Sequence, residues 1–334
     1  MKTAFWMCAA VSAAMAVSAA MAAEGDAELS SEQSEDEARY AGVFPDGVRT
    51  VACISPASYP GSPQHRRGLE LLEKAGLNVK VMPHAFTRPE GGKGPAPLAC
   101  RLEDFQAAWN DPEVDMIVCI RGGRGSGELV ENLDWDRLES RPELYFQGYS
   151  DATLITGALL AKGYGHPVAG PMAGSMTGLR DEFIQAMKAM YHGEAVGPYR
   201  VETLAVGDFS GLPLAGHLER LVALAESDCR PDTRGRVIFI ESVRTPPERI
   251  RAQLRRLADR GFFDGTAGVV FCQFARCGPA AEVEAVLKEA APAIGVPVRC
   301  GFPFGHTSRS VTIDFRRQAV VEGNTVVFPA VADE

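Results

Sequence analysis

Four short stretches carry residues that could do chemistry together. The first is Gly148-Tyr149-Ser150-Asp151-Ala152, between the apolar run 144–146 and a helical pattern. A serine on a tight strand-to-helix turn has its hydroxyl held out from the chain, and small neighbours permit so sharp a turn. Ala152 stands where such an elbow often has its second glycine. The helix N-terminus that follows also points free N–H groups at the site, where they could stabilise an oxyanion. The same pattern also fits a plain N-cap formed by Ser150 and Asp151.

The second stretch is Arg121-Gly122-Gly123-Arg124-Gly125-Ser126-Gly127, behind the apolar run 115–120. Glycine at this density lets backbone amides approach a ligand closely. A phosphate loop is the rival reading. No Lys-Ser or Lys-Thr pair follows, however, and the spacing fits neither a Walker loop nor a dinucleotide fingerprint. The third is Glu241, directly after Val237-Ile238-Phe239-Ile240. A carboxylate at a strand's carboxyl end can orient a histidine. It equally fits a surface glutamate that closes a strand.

The fourth is Gly301-Phe302-Pro303-Phe304-Gly305-His306. Glycine and proline shape the loop and aromatics cover it, which suits a base with a fixed ring and limited water access. His65, His84, His166, His192 and His217 have no comparable setting. No two histidines stand at an i, i+4 spacing, so no histidine metal cluster is expected. Taken together the residues share one logic: a serine needs a base for its proton, and the base needs a third group to fix its tautomer. Ser, Glu, His is one of the chain orders used for such triads.

The elements that must position these residues alternate. Strands are expected at 51–54, 79–82, 115–120 and 144–146, with helices at 65–74, 102–109, 152–162 and 176–191. That alternation implies an open, mostly parallel sheet covered by helices, with ligands at the carboxyl ends of its strands. Strands at 237–240, 268–272, 311–315, 319–321 and 326–328 belong to a smaller, more irregular C-terminal α/β half with a β-rich end. The boundary is expected near 192–200, giving a nucleophile domain at 47–192 and a second domain at 193–334 that carries Glu241 and His306. A length of 334 residues suits roughly two domains of about 150 residues each.

Composition narrows the class. Apolar residues make up 46% and aromatics 8%, enough for a real core. A formal charge of -9 argues against nucleic acid as a partner, since phosphate binding needs a basic face. Lys2 precedes an uncharged run from Ala4 to Ala20, and Ala20-Met21-Ala22 has the small-x-small pattern of a signal-peptidase site. Residues 1–22 therefore read as a cleaved signal peptide of an exported, periplasmic protein with no lasting membrane insertion. Residues 23–46 read as a flexible acidic leader, with folded structure from about Val48. Seven cysteines remain after the signal, an odd number without a C-x-x-C pair; Cys53, Cys119, Cys272 and Cys300 read as buried free thiols, and no structural metal is expected.

These motifs resemble the LD-carboxypeptidases, or muramoyltetrapeptide carboxypeptidases, a family that includes microcin C self-immunity peptidases. The likeness covers nearly the whole chain after residue 47. It rests on Arg121-Gly122-Gly123 with Gly125-Ser126, Leu133-Asp134, Gly148 to Thr153, Gly170-Pro171-Met172, Phe239-Ile240-Glu241, Gln273-Phe274 and Gly301 to His306. The resemblance implies Ser150 as nucleophile, Glu241 and His306 as its partners, no metal or other cofactor, a homodimer, and removal of a terminal D-alanine from murein tetrapeptides. It further implies that backbone N–H groups of Asp151 and of the loop at Gly123 hold the oxyanion. Three positions depart from the pattern. Arg124 replaces the usual aromatic and could bind a substrate carboxylate or mark another substrate. Ala215-Gly216-His217 stands for the usual Gly-Gly-Asn, and Ser242 and Arg244 stand where acidic or small residues are common. Two alternatives remain: the same triad acting on another amide or peptide conjugate, and a non-catalytic murein-peptide-binding protein.

Overall fold

The computed structural model describes residues 39–332, so the expected signal peptide and most of the acidic leader lie outside the described residues. The first sheet has five parallel strands, β1 (Thr50–Ile54), β2 (Asn78–Val81), β3 (Met116–Cys119), β4 (Tyr145–Gln147) and β5 (His166–Ala169), and a short antiparallel sixth strand at its β5 edge. The central strands β1 and β3 are near-continuous apolar runs because helices cover both faces of a parallel sheet, whereas β2 at the edge alternates polar and apolar residues and is not buried. β1 and β3 are wholly buried. The order β5-β4-β3-β1-β2 reverses direction between β1 and β3, which opens a crevice beyond their carboxyl ends.

The remaining strands are β6 (Val196–Arg200), β7 (Glu202–Ala205), β8 (Phe209–Gly211), β9 (Pro213–His217), β10 (Val237–Val243), β11 (Gly268–Ala275), β12 (Val298–Cys300), β13 (Ile313–Asp314), β14 (Ala319–Glu322) and β15 (Thr325–Phe328). A second sheet has the order β7-β12-β11-β10-β9, with β9 to β12 parallel and β7 antiparallel at the edge. A third, antiparallel sheet has the order β6-β15-β14-β8. The molecule is a mixed α/β protein whose first, parallel-dominated sheet is flanked by helices and followed by a β-rich C-terminal region. Among the described residues, no helix is long and apolar enough to cross a membrane.

Several local expectations need correction. The leader is expected to stay solvated to residue 46, but Tyr40, Val43 and Phe44 are buried. The Tyr40 hydroxyl donates to the Met176 carbonyl at 2.7 Å, and Phe44 stacks on Tyr191 at 6.2 Å between centroids. The acidic residues that set the segment's character precede residue 39, and three apolar side chains suffice to anchor the chain leading into β1. The helix expected at 176–191 is two helices, Ala173–Met176 and Asp181–Tyr191. Between them the Arg180 N–H donates to the Ser308 carbonyl, 3.0 Å away on the loop after His306. The C-terminal chain also returns to the first sheet, where β13 pairs antiparallel with β5. That pairing is reinforced by a buried 2.7 Å contact between His166 and Asp314.

Helix Pro63–Lys74 crosses the short helix Ala173–Met176 at Gly68, where an added Cβ would run into the Ala173 carbonyl. Close approach there, not conformational freedom, requires glycine. Gly68→Ala must push the two helices apart, at a cost of about 2 kcal/mol or more. Denaturant unfolding monitored by circular dichroism should show that loss, and an unchanged midpoint would mean the contact is soft.

Candidate active site

Ser150 opens a 3₁₀ turn, Ser150–Ala152, that runs from the end of β4 into helix Thr153–Lys162. Its φ is +62°, a left-handed conformation that costs a non-glycine residue roughly 1 kcal/mol or more. Neighbouring contacts hold the turn in place. Asp151 is 2% exposed, accepts from the Ser126 N–H at 2.9 Å and pairs with Arg220 at 2.6 Å. Arg220 also reaches the Gly123 carbonyl at 3.3 Å. A side chain at Gly148 would lie 2.8 Å from Ala152 Cβ and 3.1 Å from Cys119 Sγ. The chain can therefore turn this sharply only with glycine before the serine.

This arrangement excludes the N-cap reading. Helix Thr153–Lys162 has no side-chain cap. The Asp151 carboxylate serves a different helix, Ser126–Asn132, and the Ser150 hydroxyl faces an imidazole.

That imidazole is His306. Its Nε2 lies 2.9 Å from Ser150 Oγ and its Nδ1 lies 2.8 Å from Glu241 Oε2. A carboxylate can only accept, so Nδ1 carries the proton and donates to Glu241. Nε2 is then left as acceptor for the Ser150 hydroxyl. Glu241, at the carboxyl end of the paired run of β9 and β10, is fully buried, and so is not the surface glutamate that its sequence also allowed. Gly305, at φ +144°, brings the loop so close that a Cβ there would lie 3.2 Å from Glu241 Oε2. Phe302 and Phe304 are buried beneath the loop, and Tyr149 packs 4.9 Å from the His306 ring. Burial, with Glu241 nearby, pushes the Tyr149 phenol up to about 12, so it stays neutral.

The serine and histidine line a cavity of about 600 Å³. Gly122, Gly123 and Arg124 form one wall, and a Cβ on Gly122 would sit 3.1 Å from Ser150 Oγ. The loop backbone thus runs directly beside the hydroxyl. Gly123 is held by Ser58, whose Oγ accepts from the Arg124 N–H at 3.1 Å. The Arg124 side chain is exposed at the cavity edge. The Asp151 carboxylate is committed to Ser126 and Arg220, and Asp151 is not among the residues lining the cavity.

Two further histidines belong here that sequence reasoning passed over. His65 lines the cavity floor, and its Nδ1 accepts from the Ser62 N–H at 3.1 Å. His217 sits opposite Glu241 in the β9–β10 register, with its ring 5.9 Å from that of His306. It is 7% exposed, and its buried Nδ1 has no hydrogen-bond partner among the described residues. The departure from the usual Asn at this position was the available signal; the unrecognised strand β9 hid its placement. Among the described residues, no group of three or more His, Cys, Asp or Glu is placed to hold a metal ion.

Residues 51–168 match the LD-carboxypeptidase N-terminal domain and residues 210–321 match its C-terminal domain. The chain belongs to the LD-carboxypeptidase family. Membership places it among carboxypeptidase enzymes. It is 31% identical over 286 residues to a putative carboxypeptidase of Streptomyces coelicolor, covering 82% of this chain and 91% of that protein. It is 29% identical over 297 residues to the murein tetrapeptide carboxypeptidase of Pseudomonas aeruginosa, covering 82% and 93%. In fold it is similar to a muramoyltetrapeptide carboxypeptidase from Oxalobacter formigenes, with a TM-score of 0.72, 22% identity and coverage of 84% and 100%.

Burial, and secondarily the charges of His306 and Arg220, lower the pKa of His217 from its ordinary 6.5, while Glu241 acts in the opposite direction. Burial lowers His65 likewise. Below pH 6.5 the unfolded chain therefore binds protons that the folded chain refuses, and stability declines as the pH falls. In His217→Asn, the drop in Tm between pH 7 and pH 5 should be smaller than in the parent protein. An equal drop would remove His217 from this account.

Proposed function

We propose that this LD-carboxypeptidase is a serine peptidase. In this reading it removes the terminal D-amino acid from murein tetrapeptides, at the bond following the L-centre of a diamino acid. The observation that carries the reading is the single imidazole bonded at one nitrogen to Ser150 and at the other to buried Glu241. The substrate class is supported by the name of the Pseudomonas aeruginosa relative and by a cavity of about 600 Å³, room for a short peptide.

The steps follow from the hydrogen-bond directions. As Ser150 Oγ attacks the scissile carbonyl, its proton moves to His306 Nε2. The imidazolium is stabilised by Glu241, which keeps Nδ1 protonated and the ring aligned. The carbonyl oxygen takes the negative charge next to the helix start after Ser150 and the loop at Gly123, where the Asp151 and Gly123 N–H groups serve as donors. Loss of one such donor typically raises the barrier by about 3–4 kcal/mol. His306 then passes the proton to the leaving amine, and the D-amino acid departs. A water molecule, deprotonated by the same histidine, hydrolyses the acyl-serine and restores the enzyme. Arg124, next to Gly123 on the cavity edge, is assigned to the carboxylate of the departing residue. With residues 1–22 as a signal peptide, the reaction would take place outside the cytoplasm, and the working form would be a homodimer.

Mass spectrometry of a diaminopimelate tetrapeptide incubated with the protein should show loss of one D-alanine. Ser150→Ala should lower kcat by on the order of 10⁴ or more, with an unchanged melting temperature. Comparable turnover by that variant would reject the nucleophile. A chelator should leave the rate unchanged, since nucleophile, base and orienting group are all side chains, and inhibition by it would call for a different mechanism.

A further inference from the structure

The net charge of the chain is -9, yet the cavity is lined by Arg121, Arg124, Arg220, Arg244 and Arg276 against one acidic lining residue, Glu219. Two of the five are already committed. Arg121 donates to the Gly122 and Tyr59 carbonyls, and Arg220 pairs with Asp151. Glu219 is taken up by Arg249 at 2.6 Å. Among the described residues, no carboxylate lies within ion-pair distance of Arg124, Arg244 or Arg276.

Arg244 and Arg276 are neighbours by construction. Each follows the last paired residue of its strand, Val243 on β10 and Ala275 on β11, and the Arg244 N–H donates to the Ala275 carbonyl at 3.0 Å. Parallel strands lie about 4.8 Å apart, so the two arginine backbones leave the sheet rim side by side, and both side chains line the cavity. Their backbones are also unusual. Among the described residues, the non-glycine positions with left-handed φ are Ser150 (+62°), Arg244 (+53°) and Arg276 (+56°), and all three line this cavity. Strain of this kind persists where the surroundings enforce it, and it concentrates at functional sites. Both side chains line the cavity that holds Ser150 without a protein carboxylate in ion-pair distance among the described residues, so a bound anion can serve both.

We propose that Arg244 and Arg276 form an anion-recognition subsite for a second carboxylate of the substrate, one carried on the acyl side of the scissile bond. The proposal rests on the peptidase reading above, under which Arg124 meets the carboxylate of the departing residue. The arginine pair sits on the second sheet, at the ends of the strands that bear and flank Glu241, while Arg124 is on the loop of the first sheet. A peptide whose diamino acid ends in a free carboxylate meets both sites. A peptide with that carboxylate amidated, or with a lysine-type side chain in its place, meets only the first. The subsite would thus select the acidic class of peptide.

Two measurements test this on the whole protein. The first is calorimetric binding of the diaminopimelate tripeptide product and its side-chain carboxamide, which needs no turnover. The parent protein should prefer the free carboxylate by about tenfold or more, the strength of a charge-assisted pair. Arg244→Gln/Arg276→Gln should abolish that preference and leave carboxamide binding within about twofold. Arg244→Gly/Arg276→Gly, in which glycine accepts the left-handed backbone without strain, should behave alike and guards against misfolding of the first variant. The second measurement is D-alanine release from the corresponding tetrapeptides, with the same preference expected in kcat/KM. A preference that survives both double variants, or a parent protein that binds the two tripeptides equally or binds neither, overturns the proposal. Selective binding without D-alanine release would leave the subsite standing and reject the peptidase reading instead.

Discussion

Everything in this structure depends on a carboxylate that has no water to turn to. Glu241 is fully buried, and its Oε2 finds its hydrogen bond in the His306 ring. A buried carboxylate is costly unless a donor or a cation compensates it, and that cost is what fixes the ring. The imidazole must present Nδ1–H to the carboxylate, which leaves Nε2 facing Ser150. One buried oxygen thus sets tautomer and orientation together. His217, Tyr149 and Gly305 crowd the same pair, and the neutral forms of the first two keep competing charge away from it.

The interacting groups are drawn from two parallel-dominated sheets. Ser150 rises from the carboxyl end of β4 in the first sheet, and Glu241 stands near the carboxyl end of β10 in the second. The loop that carries His306 leaves β12, runs past both, and then feeds β13, which joins the first sheet beside β5. The return strand matters because a 2.9 Å contact between groups on different sheets tolerates little relative motion. The β13–β5 pairing and the His166–Asp314 contact fasten the chain to the first sheet within ten residues of His306.

What the sequence discloses depends on the range of the interactions. Strands β1 and β3 were legible because fully buried parallel strands read as apolar runs, and β4 because its Leu144 to Phe146 stretch is largely buried. The serine turn, the glycine loop and the Phe-Pro-Phe-Gly-His loop were legible because tight local geometry demands particular residues. Strand β9 was missed because Pro213, Ala215 and Gly216 weaken its pattern, and with it went the placement of His217 opposite Glu241. The pairing of Asp151 with Arg220, 69 positions away, leaves no local trace, and so Asp151 read as a cap. Tyr40, Val43 and Phe44 were absorbed into an acidic stretch whose average hid three anchoring side chains. The cationic character of the cavity was equally hidden, because its arginines come from four separate segments of a chain that is acidic overall.

The central claim is that His306, held by Glu241, activates the Ser150 hydroxyl. A fluorophosphonate reports on this directly: the activated oxygen attacks phosphorus, fluoride leaves, and the adduct is read by peptide mass spectrometry. The account predicts a single adduct on the peptide containing Ser150, with a labelling rate that falls by on the order of 10³ or more in His306→Gln. Labelling at another residue, or at an undiminished rate in that variant, would contradict it.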